Sequence, residues 1–288
     1  MAADKFCITA HGGGMSACYH AGVIAALKEK FGFKKLSRVI ATSGAAATYS
    51  YLISGQDHIL RPTWIELVRS RRFIKLWKFP PGKRVIDLDY LIDGVIKDRN
   101  ALDLRALKGS PVKFEIGVTD VKTGEPLFFS KDSPVDFFEV LRASCCVPYF
   151  ARNDVTLNGR SYCDGMVGSV SGLERTADEE NVLLILTRPP KPLRKLHLLR
   201  KISSWLLLRD QTPELQKAIW NTVARYNDIP RYVQELRQRK NIAVIQPKRD
   251  LPALRLDTRA DRVLRTIKQG YNDTIGHEEL DGFFARIA

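Results

Sequence analysis

The pattern of apolar and polar positions predicts two strand–turn–helix units at the start of the chain. Residues 5–10 form an apolar run typical of a short strand, and residues 16–30 place apolar side chains at the spacing of a helix. A second apolar run at residues 37–41 leads into a stretch of very small residues that begins at Ser43. Right-handed crossovers set such strands side by side in a parallel sheet, so we expect both helices to begin at the same edge of that sheet.

Later segments continue this pattern of strands and helices. Residues 112–119 and 126–129 flank a polar turn and predict one hairpin, and residues 155–157 and 161–163 flank Asn158-Gly159 and predict another. Residues 181–187 are almost wholly apolar, as in a central strand that is buried on both faces. Helices are predicted at residues 89–97 and 135–146. We therefore expect a three-layer α/β/α fold with a mostly parallel central sheet.

The last third of the chain is predicted to be mainly helical. Its helical segments are residues 193–208, 214–240 and 259–271, and Pro230 is expected to interrupt the longest of them. One apolar run, residues 242–246, predicts a late strand. We find no internal repeat and no linker-like segment, so we expect residues 1–190 to form the core and residues 191–288 to form a helical extension that completes the same domain.

The charge balance bears on the kind of partner. The chain has 288 residues, 44% hydrophobic and 27% charged, which is typical of a globular protein with one or two domains. Its formal net charge of +14 favours an anionic partner, such as a membrane surface, a nucleic acid or an acidic ligand. Because no RNP, KH, zinc-finger or helix-turn-helix signature occurs, nucleic acid is the weakest of these three expectations.

The cysteines, the histidines and the first residues of the chain bear on metal binding and on the cellular compartment. The five cysteines form no CxxC pair and the five histidines form no HExxH motif or Cys/His cluster, so we expect reduced thiols and no metal site. The first residues lack the basic and apolar regions of a signal peptide. The longest uncharged stretch, residues 39–56, is too short for a membrane-spanning helix and predicts a buried core helix. These features favour a cytoplasmic protein.

Two segments mix basic and apolar residues, namely residues 57–80 and 191–209. In the second, Leu196, Leu199, Ile202 and Leu206 share one face of the predicted helix, and Trp205 is placed to lie at a membrane interface. Such segments predict peripheral contact with an anionic membrane surface. The competing interpretation is a helix that packs on its own sheet and carries a cationic rim, and the pattern leaves both interpretations open.

Ser43 is a candidate nucleophile because it lies where the second strand turns into the second helix. The run Ala41-Thr42-Ser43-Gly44-Ala45 has the layout of a nucleophile elbow, usually written G-x-S-x-G, with alanine at both glycine positions. The positions two before and two after the nucleophile come close together in such a turn, and Gly or Ala leaves the necessary room. The competing interpretation is a small-residue helix start that packs against a sheet.

Two further loops contain candidate functional residues. Gly12, Gly13 and Gly14 follow the first strand, where glycines let backbone N–H groups turn outward and let a ligand approach closely. Their spacing matches neither of the nucleotide-binding patterns GxGxxG and GxxxxGK[ST]. Asp164 and Gly165 follow the second hairpin and place an acid next to a flexible residue, although Asp-Gly is also a common turn.

Together and in this order, the glycine loop, the elbow and the Asp-Gly pair resemble the motifs of the patatin-like phospholipase family. Residues 142–150 resemble the end of the family's alanine–serine helix with its proline, and residues 19–23 resemble the family's first helix. The resemblance covers roughly residues 5–190. The strand exit at residues 186–189 and the helical tail are similar to a bacterial subgroup of the family, with less specific motifs.

The resemblance implies a patatin-like fold and a serine acyl-ester hydrolase with a Ser–Asp dyad. Ser43 would attack an ester carbonyl as the nucleophile, and Asp164 would take its proton as the general base and later activate water. The N–H groups of Gly12, Gly13 and Gly14 would form the oxyanion hole. The substrate implied is a phospholipid or another acyl-ester lipid, with no cofactor and no catalytic histidine.

The chain departs from the family pattern at several positions. Ser16 stands where the family usually has arginine, Ala17 stands where it usually has glycine, and Met166 follows the Asp-Gly pair. The family's downstream Asn-Pro is absent from residues 169–172. Two alternatives therefore stay open: a catalytically weak or inactive patatin-fold protein that binds lipid, and a basic binder of nucleic acid or another anionic ligand on an α/β scaffold.

Overall fold

A computed structural model of the protein describes residues 4–75, 85–148, 150–151, 154–193 and 211–287. The predicted helix at residues 193–208 lies outside the described residues apart from Leu193, and so does the end of the basic segment 57–80. In the described part of that segment, the apolar side chains Trp64, Leu67 and Phe73 are buried in the protein core. In this part of the segment, the apolar side chains therefore pack into the protein's own core, and the helix contacts other helices.

The described residues form one sheet of eight strands, in the order β5-β6-β3-β2-β1-β7-β8 with β4 paired to β3. Strands β1, β2, β3, β7 and β8 run parallel, while β4 and β6 are antiparallel to β3 and β5 is antiparallel to β6. The strands are β1 (Phe6–Ala10), β2 (Leu36–Thr42), β3 (Lys113–Asp120), β4 (Pro126–Ser130), β5 (Val155–Leu157), β6 (Arg160–Asp164), β7 (Asn181–Ile185) and β8 (Asn241–Ile245). The sequence predicted the two hairpins, which are confirmed. It also predicted a buried interior strand at β7, which lies between β1 and β8 and is confirmed as well.

Helices cover both faces of this sheet. The larger layer packs on β-strand residues such as Ile8, Val39 and Ile116, and the other layer packs on Val182 and Leu184. The α-helices are α1 (Tyr19–Lys30), α2 (Ser43–Ile53), α3 (Leu60–Arg69), α4 (Leu104–Gly109), α5 (Phe137–Ser144), α6 (Gly165–Gly168), α7 (Pro213–Arg237), α8 (Ala260–Ile275) and α9 (Glu278–Ala285). The predicted three-layer α/β/α fold is therefore confirmed.

Some helical segments differ from the sequence-based expectation. The first helix is preceded by a 3-10 turn, Gly14–Cys18, and the predicted helix at residues 89–97 is a π-helix, Tyr90–Arg99. Helix α7 continues through Pro230, so the predicted interruption is wrong. The break does not occur because α7 packs Tyr226, Ile229 and Val233 against one face of the sheet, and this burial on both sides of the proline offsets the lost hydrogen bond.

The last third of the chain contributes to the same sheet and to the larger helical layer. All five residues of β8 pair with β7, from Asn181 opposite Asn241 to Ile185 opposite Ile245. Helix α8 lies directly against α1, and side chains at Gly22 or Gly270 would collide with the backbone of the facing helix. The region expected to be a helical extension therefore also supplies a sheet strand and covers the first helix.

Strand β3 determines how the loops come together. Gly117 pairs with Thr42 of β2 and with Phe128 of β4, and Val118 pairs with Asp164 of β6 and with Leu127 of β4. Because a strand has two edges, β4 occupies one edge while β2 and β6 follow one another along the other. The end of β2 and the end of β6 therefore meet at consecutive residues of β3.

Candidate active site

Ser43 lies in a sharp turn between β2 and α2. Its φ angle is 55°, in the left-handed region that residues with side chains seldom adopt. Such a conformation costs about 1–3 kcal/mol and persists where surrounding contacts hold it. Ala41 and Ala45, the two positions where the usual elbow motif has glycine, are 1% and 0% exposed. Alanine is thus small enough for this elbow.

Ser144 fixes the elbow from the end of α5. The backbone N–H of Ser43 donates a hydrogen bond of 2.8 Å to the Ser144 hydroxyl, which in turn donates one of 2.7 Å to the carbonyl of Gly117. The Ser144 side chain is fully buried. Because the Ser43 N–H donates its hydrogen bond to Ser144, it is not free to bind a ligand.

The topology of β3 brings Ser43 and Asp164 together. Ser43 immediately follows Thr42, which pairs with Gly117, and Asp164 pairs with the next residue of β3, Val118. Both side chains belong to residues that are 3% exposed. Burial raises the pKa of the Asp164 carboxyl, and an interaction with the Ser43 side chain lowers it, as expected for two side chains that lie near each other.

The environment of Asp164 makes its carboxyl a stronger base than an ordinary aspartate. Burial raises the pKa of this carboxyl from 3.8 to about 6. Three interactions oppose that rise: the Ser43 side chain, the Met166 backbone N–H, which donates a 2.9 Å hydrogen bond to Oδ1, and the positive charge of Arg255. At neutral pH the carboxyl is therefore mostly ionised and still able to accept a proton.

The glycine loop passes directly over this pair. A Cβ atom at Gly12 would lie 2.8 Å from Cβ of Ser43 and 2.5 Å from Sδ of Met166, so the three loops meet at Gly12. Gly13 and Gly14 have φ angles of 150° and 58°, which favour glycine. Within the described residues, the N–H groups of Gly12, Gly13 and Gly14 donate no hydrogen bond. They are therefore available to a ligand.

Side chains on both sides hold the carbonyls of the glycine loop. The Thr187 hydroxyl donates a 2.6 Å hydrogen bond to the carbonyl of Gly12, and the Ser16 hydroxyl donates one of 2.7 Å to the carbonyl of Gly13. The N–H of Met15 bonds to the carbonyl of Arg255 at 3.0 Å. Ser16, which stands at the usual position of arginine, thus anchors the loop through its hydroxyl.

His11 takes part in the same network as a neutral ring. The single hydroxyl proton of Thr187 goes to the carbonyl of Gly12, so Nδ1 of His11, 2.8 Å away, must donate to Thr187. Burial and the charges of Arg255 and Arg188 hold the pKa of His11 well below its usual value. The ring is therefore a structural donor, and neither His11 nor His20 bonds to Ser43 or Asp164.

Cys145 is a second nucleophilic side chain next to Ser43. Burial, followed by the negative charge of Asp164, raises the pKa of its thiol far above the usual value. Because the thiolate is the reactive form of cysteine, this thiol is inert at neutral pH. All five cysteines are buried and form no disulfide. Ser43 thus remains the candidate nucleophile of the site.

An apolar pocket opens next to Ser43, between α2, α3 and the π-helix. Its cavity volume is about 50 Å³, which makes it a narrow pocket, smaller than a typical small-molecule site. Gly14, Ser43 and Gly44 lie at its mouth. Its walls are almost entirely apolar and include Ala47, Tyr51, Trp64, Leu67, Phe73, Leu88 and Leu91. The chemistry of these walls fits a hydrocarbon chain.

The described residues contain neither a metal-binding cluster nor a membrane-spanning helix. No cluster of three or more His, Cys, Asp or Glu side chains there is arranged to hold a metal ion. Among the same residues, no helix combines the length and apolarity needed to cross a membrane.

The structure brings all five sequence-predicted site residues together and adds others that sequence reasoning missed. Ser144 lies in the segment 142–150 that resembles the family, yet its role in holding the elbow had no separate signal. Thr187 lies in the strand exit at residues 186–189 that is similar to a subgroup of the family, but its contact with the glycine loop had no signal. Arg255 had no signal at all, because it comes from a distant segment and acts through contacts made only in the folded chain. Met166 was noted only as a departure, although its N–H orients Asp164.

Comparison with known proteins gives one family match. The sequence model of the patatin-like phospholipases matches residues 10–175, which is more than half of the chain and includes every residue of the glycine loop, the elbow and the Asp-Gly pair.

Two individual proteins are also similar to this chain. The uncharacterised protein YjjU of Escherichia coli strain K12 is 23% identical over 270 residues, covering 92% of this chain and 75% of that protein. The crystal structure of VipD from Legionella pneumophila aligns with a TM-score of 0.48 and 14% identity, covering 97% of this chain and 67% of that chain.

Proposed function

Because the chain belongs to the patatin-like phospholipase family, we propose that it is a serine acyl-ester hydrolase that acts on lipids through Ser43 and Asp164. The observation that carries the proposal is that the ends of β2 and β6 meet at consecutive residues of β3. This brings Ser43 and Asp164 together beneath a loop whose N–H groups donate no hydrogen bond within the described residues. A nucleophile, a base and an oxyanion site at one point are the requirements of acyl transfer.

In the first step, Oγ of Ser43 attacks the ester carbonyl carbon while its proton passes to the Asp164 carboxylate. The carbonyl oxygen becomes an oxyanion, which the N–H groups of the glycine loop stabilise by hydrogen bonds. The tetrahedral intermediate then breaks its bond to the alcohol, which leaves with the proton from Asp164. The product on the enzyme is an acyl ester of Ser43.

In the second step, water replaces the alcohol. Asp164 takes a proton from water as the oxygen attacks the acyl carbonyl, and the oxyanion again lies against the glycine loop. Collapse of this intermediate returns the proton to Ser43 and releases the carboxylic acid. The raised pKa of Asp164, about 6, supports this role because a base works best when its pKa is close to the working pH.

The apolar pocket supports a lipid acyl chain as the group that is transferred. The chain would enter past Gly44 and lie between α2 and α3, with its carbonyl carbon at Ser43. We further propose that the protein works in the cytoplasm and meets its substrate at an anionic membrane surface, an expectation that rests on the net charge of +14.

Covalent labelling with a fluorophosphonate probe, together with hydrolysis of acyl esters, tests the proposal. We expect Ser43→Ala to abolish both the labelling and the hydrolysis, and Asp164→Asn to reduce both by several orders of magnitude without unfolding the protein. Ser133→Ala, a serine in the turn after β4, is the matched control and should behave like wild type. Full activity of Ser43→Ala would refute the mechanism.

The same measurements address the alternative functions. A wild-type protein that binds lipid vesicles but neither hydrolyses esters nor reacts with the probe would be a non-catalytic lipid-binding member of the family. Salt-sensitive binding of RNA without any preference for lipid would instead favour the basic nucleic-acid binder.

A further inference from the structure

Two arginines lie at the edge of the sheet where the candidate active site is located. Arg188 follows β7 and Arg255 lies in the segment between β8 and α8. Since β1, β2, β7 and β8 are parallel, the segments that follow them emerge at the same edge. The backbone of Arg255 touches the glycine loop directly, because its carbonyl accepts the N–H of Met15.

The charges of these arginines act on the site and on each other. Arg255 lowers the pKa of Asp164, and both arginines lower the pKa of the buried His11. Burial lowers the pKa of Arg255, and the positive charge of Arg188 lowers it further, as expected when two cations lie close together. The guanidinium carbon of Arg188 lies 5.8 Å from the ring centroid of Tyr226, which is packed against His11.

Neither arginine has a carboxylate partner among the described residues. Arg38 and Arg142 show the contrast, since each forms ion pairs with three acidic side chains. Arg255 interacts electrostatically with Asp164. The Asp164 carboxyl, however, already accepts a hydrogen bond from the Met166 N–H and interacts with Ser43. Because Arg188 and Arg255 repel each other and have no carboxylate partner among the described residues, a bound anion at this edge of the sheet would relieve their repulsion.

We propose that Arg188 and Arg255 form an anion subsite next to Ser43 that binds the phosphate group of a phospholipid substrate. This inference rests on the proposed function of the same site. In a glycerophospholipid the phosphate is only a few bonds from the ester, and guanidinium groups bind phosphate oxygens in pairs. The apolar pocket takes the acyl chain on one side of Ser43, and the two arginines take the phosphate on the solvent side.

The test compares two lipids with identical acyl chains in neutral detergent micelles. Phosphatidylcholine carries the phosphate without a net charge, and diacylglycerol lacks it. We expect Arg188→Gln and Arg255→Gln each to lower the ratio of kcat/KM for phosphatidylcholine to kcat/KM for diacylglycerol by about ten- to a hundredfold, as expected for a lost hydrogen bond to a charged group.

The ratio separates loss of phosphate binding from an indirect effect on Asp164, which would change the hydrolysis of both lipids alike. Arg105→Gln on the exposed helix α4 removes the same charge far from the site and should leave the ratio unchanged. A ratio that stays at the wild-type value in both Arg188→Gln and Arg255→Gln would overturn the subsite.

Inorganic phosphate tests the subsite without relying on catalysis. Calorimetry should detect phosphate binding to wild type and to Arg105→Gln, and binding should be lost in the double variant of Arg188→Gln with Arg255→Gln. If wild type hydrolyses neither lipid but shows this binding pattern, the proposed function fails and the anion subsite stands. If phosphate does not bind, or binds the double variant equally well, the subsite is wrong.

Discussion

The buried carboxyl of Asp164 works against the stability of the folded protein at neutral pH. Its pKa in the folded state is about 6, above the ordinary value of 3.8, so the folded protein holds this proton more tightly than the unfolded chain does. The contribution of the protonated carboxyl to stability is therefore lost as the pH rises from about 4 to about 6.

Replacing this carboxyl by an amide should remove the free-energy cost of burying an ionised carboxylate. We expect Asp164→Asn to raise the free energy of unfolding at pH 8 by on the order of 1–3 kcal/mol, with a much smaller effect at pH 4. Thermal melting at both pH values checks this, with Asp98→Asn on the exposed end of the π-helix as the control. An effect of the same size at both pH values would show that the pKa of Asp164 is not raised in the folded protein.

The ionisation of Asp164 should also set the pH dependence of the reaction. We expect kcat/KM of wild type for a neutral ester to rise with pH through a midpoint near 6, because the base must be ionised. Arg255→Gln removes a cation that lowers this pKa, so the midpoint should move to higher pH, whereas Arg105→Gln should leave it in place. A midpoint that moves to lower pH would contradict the assigned electrostatics.

The backbone of Ser43 gives a separate prediction about strain. Its φ of 55° is easy for glycine and unfavourable for alanine. Both Ser43→Gly and Ser43→Ala lack the hydroxyl, yet we expect the glycine variant to be more stable by about 1 kcal/mol in denaturant unfolding. The same pair of substitutions at Ser50, which lies within α2, should give the reverse order. Equal stability at position 43 would show that the turn is not strained.

At the scale of helices and loops, the pocket beside α2 should determine which acyl chains are accepted. Ala47 lines this pocket on α2, one turn after Ser43. We expect Ala47→Phe to lower kcat/KM for dodecanoyl esters at least about tenfold while butyryl esters are hydrolysed normally, because the added ring fills space that a long chain needs. Chain-length profiles of this variant and of Ala25→Phe, on the exposed side of α1, measure the effect. Equal losses on both esters would place the acyl chain elsewhere.

The elements of the site differ in how far the sequence predicts them. The glycine loop and the elbow are local features, since small residues next to an apolar strand specify a turn whatever the rest of the chain does. Their supports are not local. Thr187 and Arg255 reach the loop only because β7 lies beside β1 and β8 lies beside β7, and no pattern within either segment predicts that contact.

At the scale of the whole molecule, we propose that residues 191–288 are required for the core to fold. They supply β8, which pairs along all of β7, and α8, which covers α1. We expect a fragment of residues 1–190 to lack cooperative thermal unfolding by circular dichroism and to be cut rapidly by proteases, because its apolar surfaces would be exposed. A fragment that melts cooperatively and reacts with the fluorophosphonate probe would show instead that the extension is dispensable.

The sequence by itself determined the strand–loop–helix units, the hairpins, the buried central strand and the small residues at Ser43, because each depends on neighbours within a few positions. It could not predict that α7 continues through Pro230, since burial against the sheet outweighs a local propensity. Only the tertiary structure placed Asp164 next to Ser43, by aligning β2 and β6 along one edge of β3. The same packing raised the pKa of Asp164 by burial and placed Arg255 where its charge acts on that carboxyl, because desolvation and charge proximity exist only when distant segments of the chain are packed together.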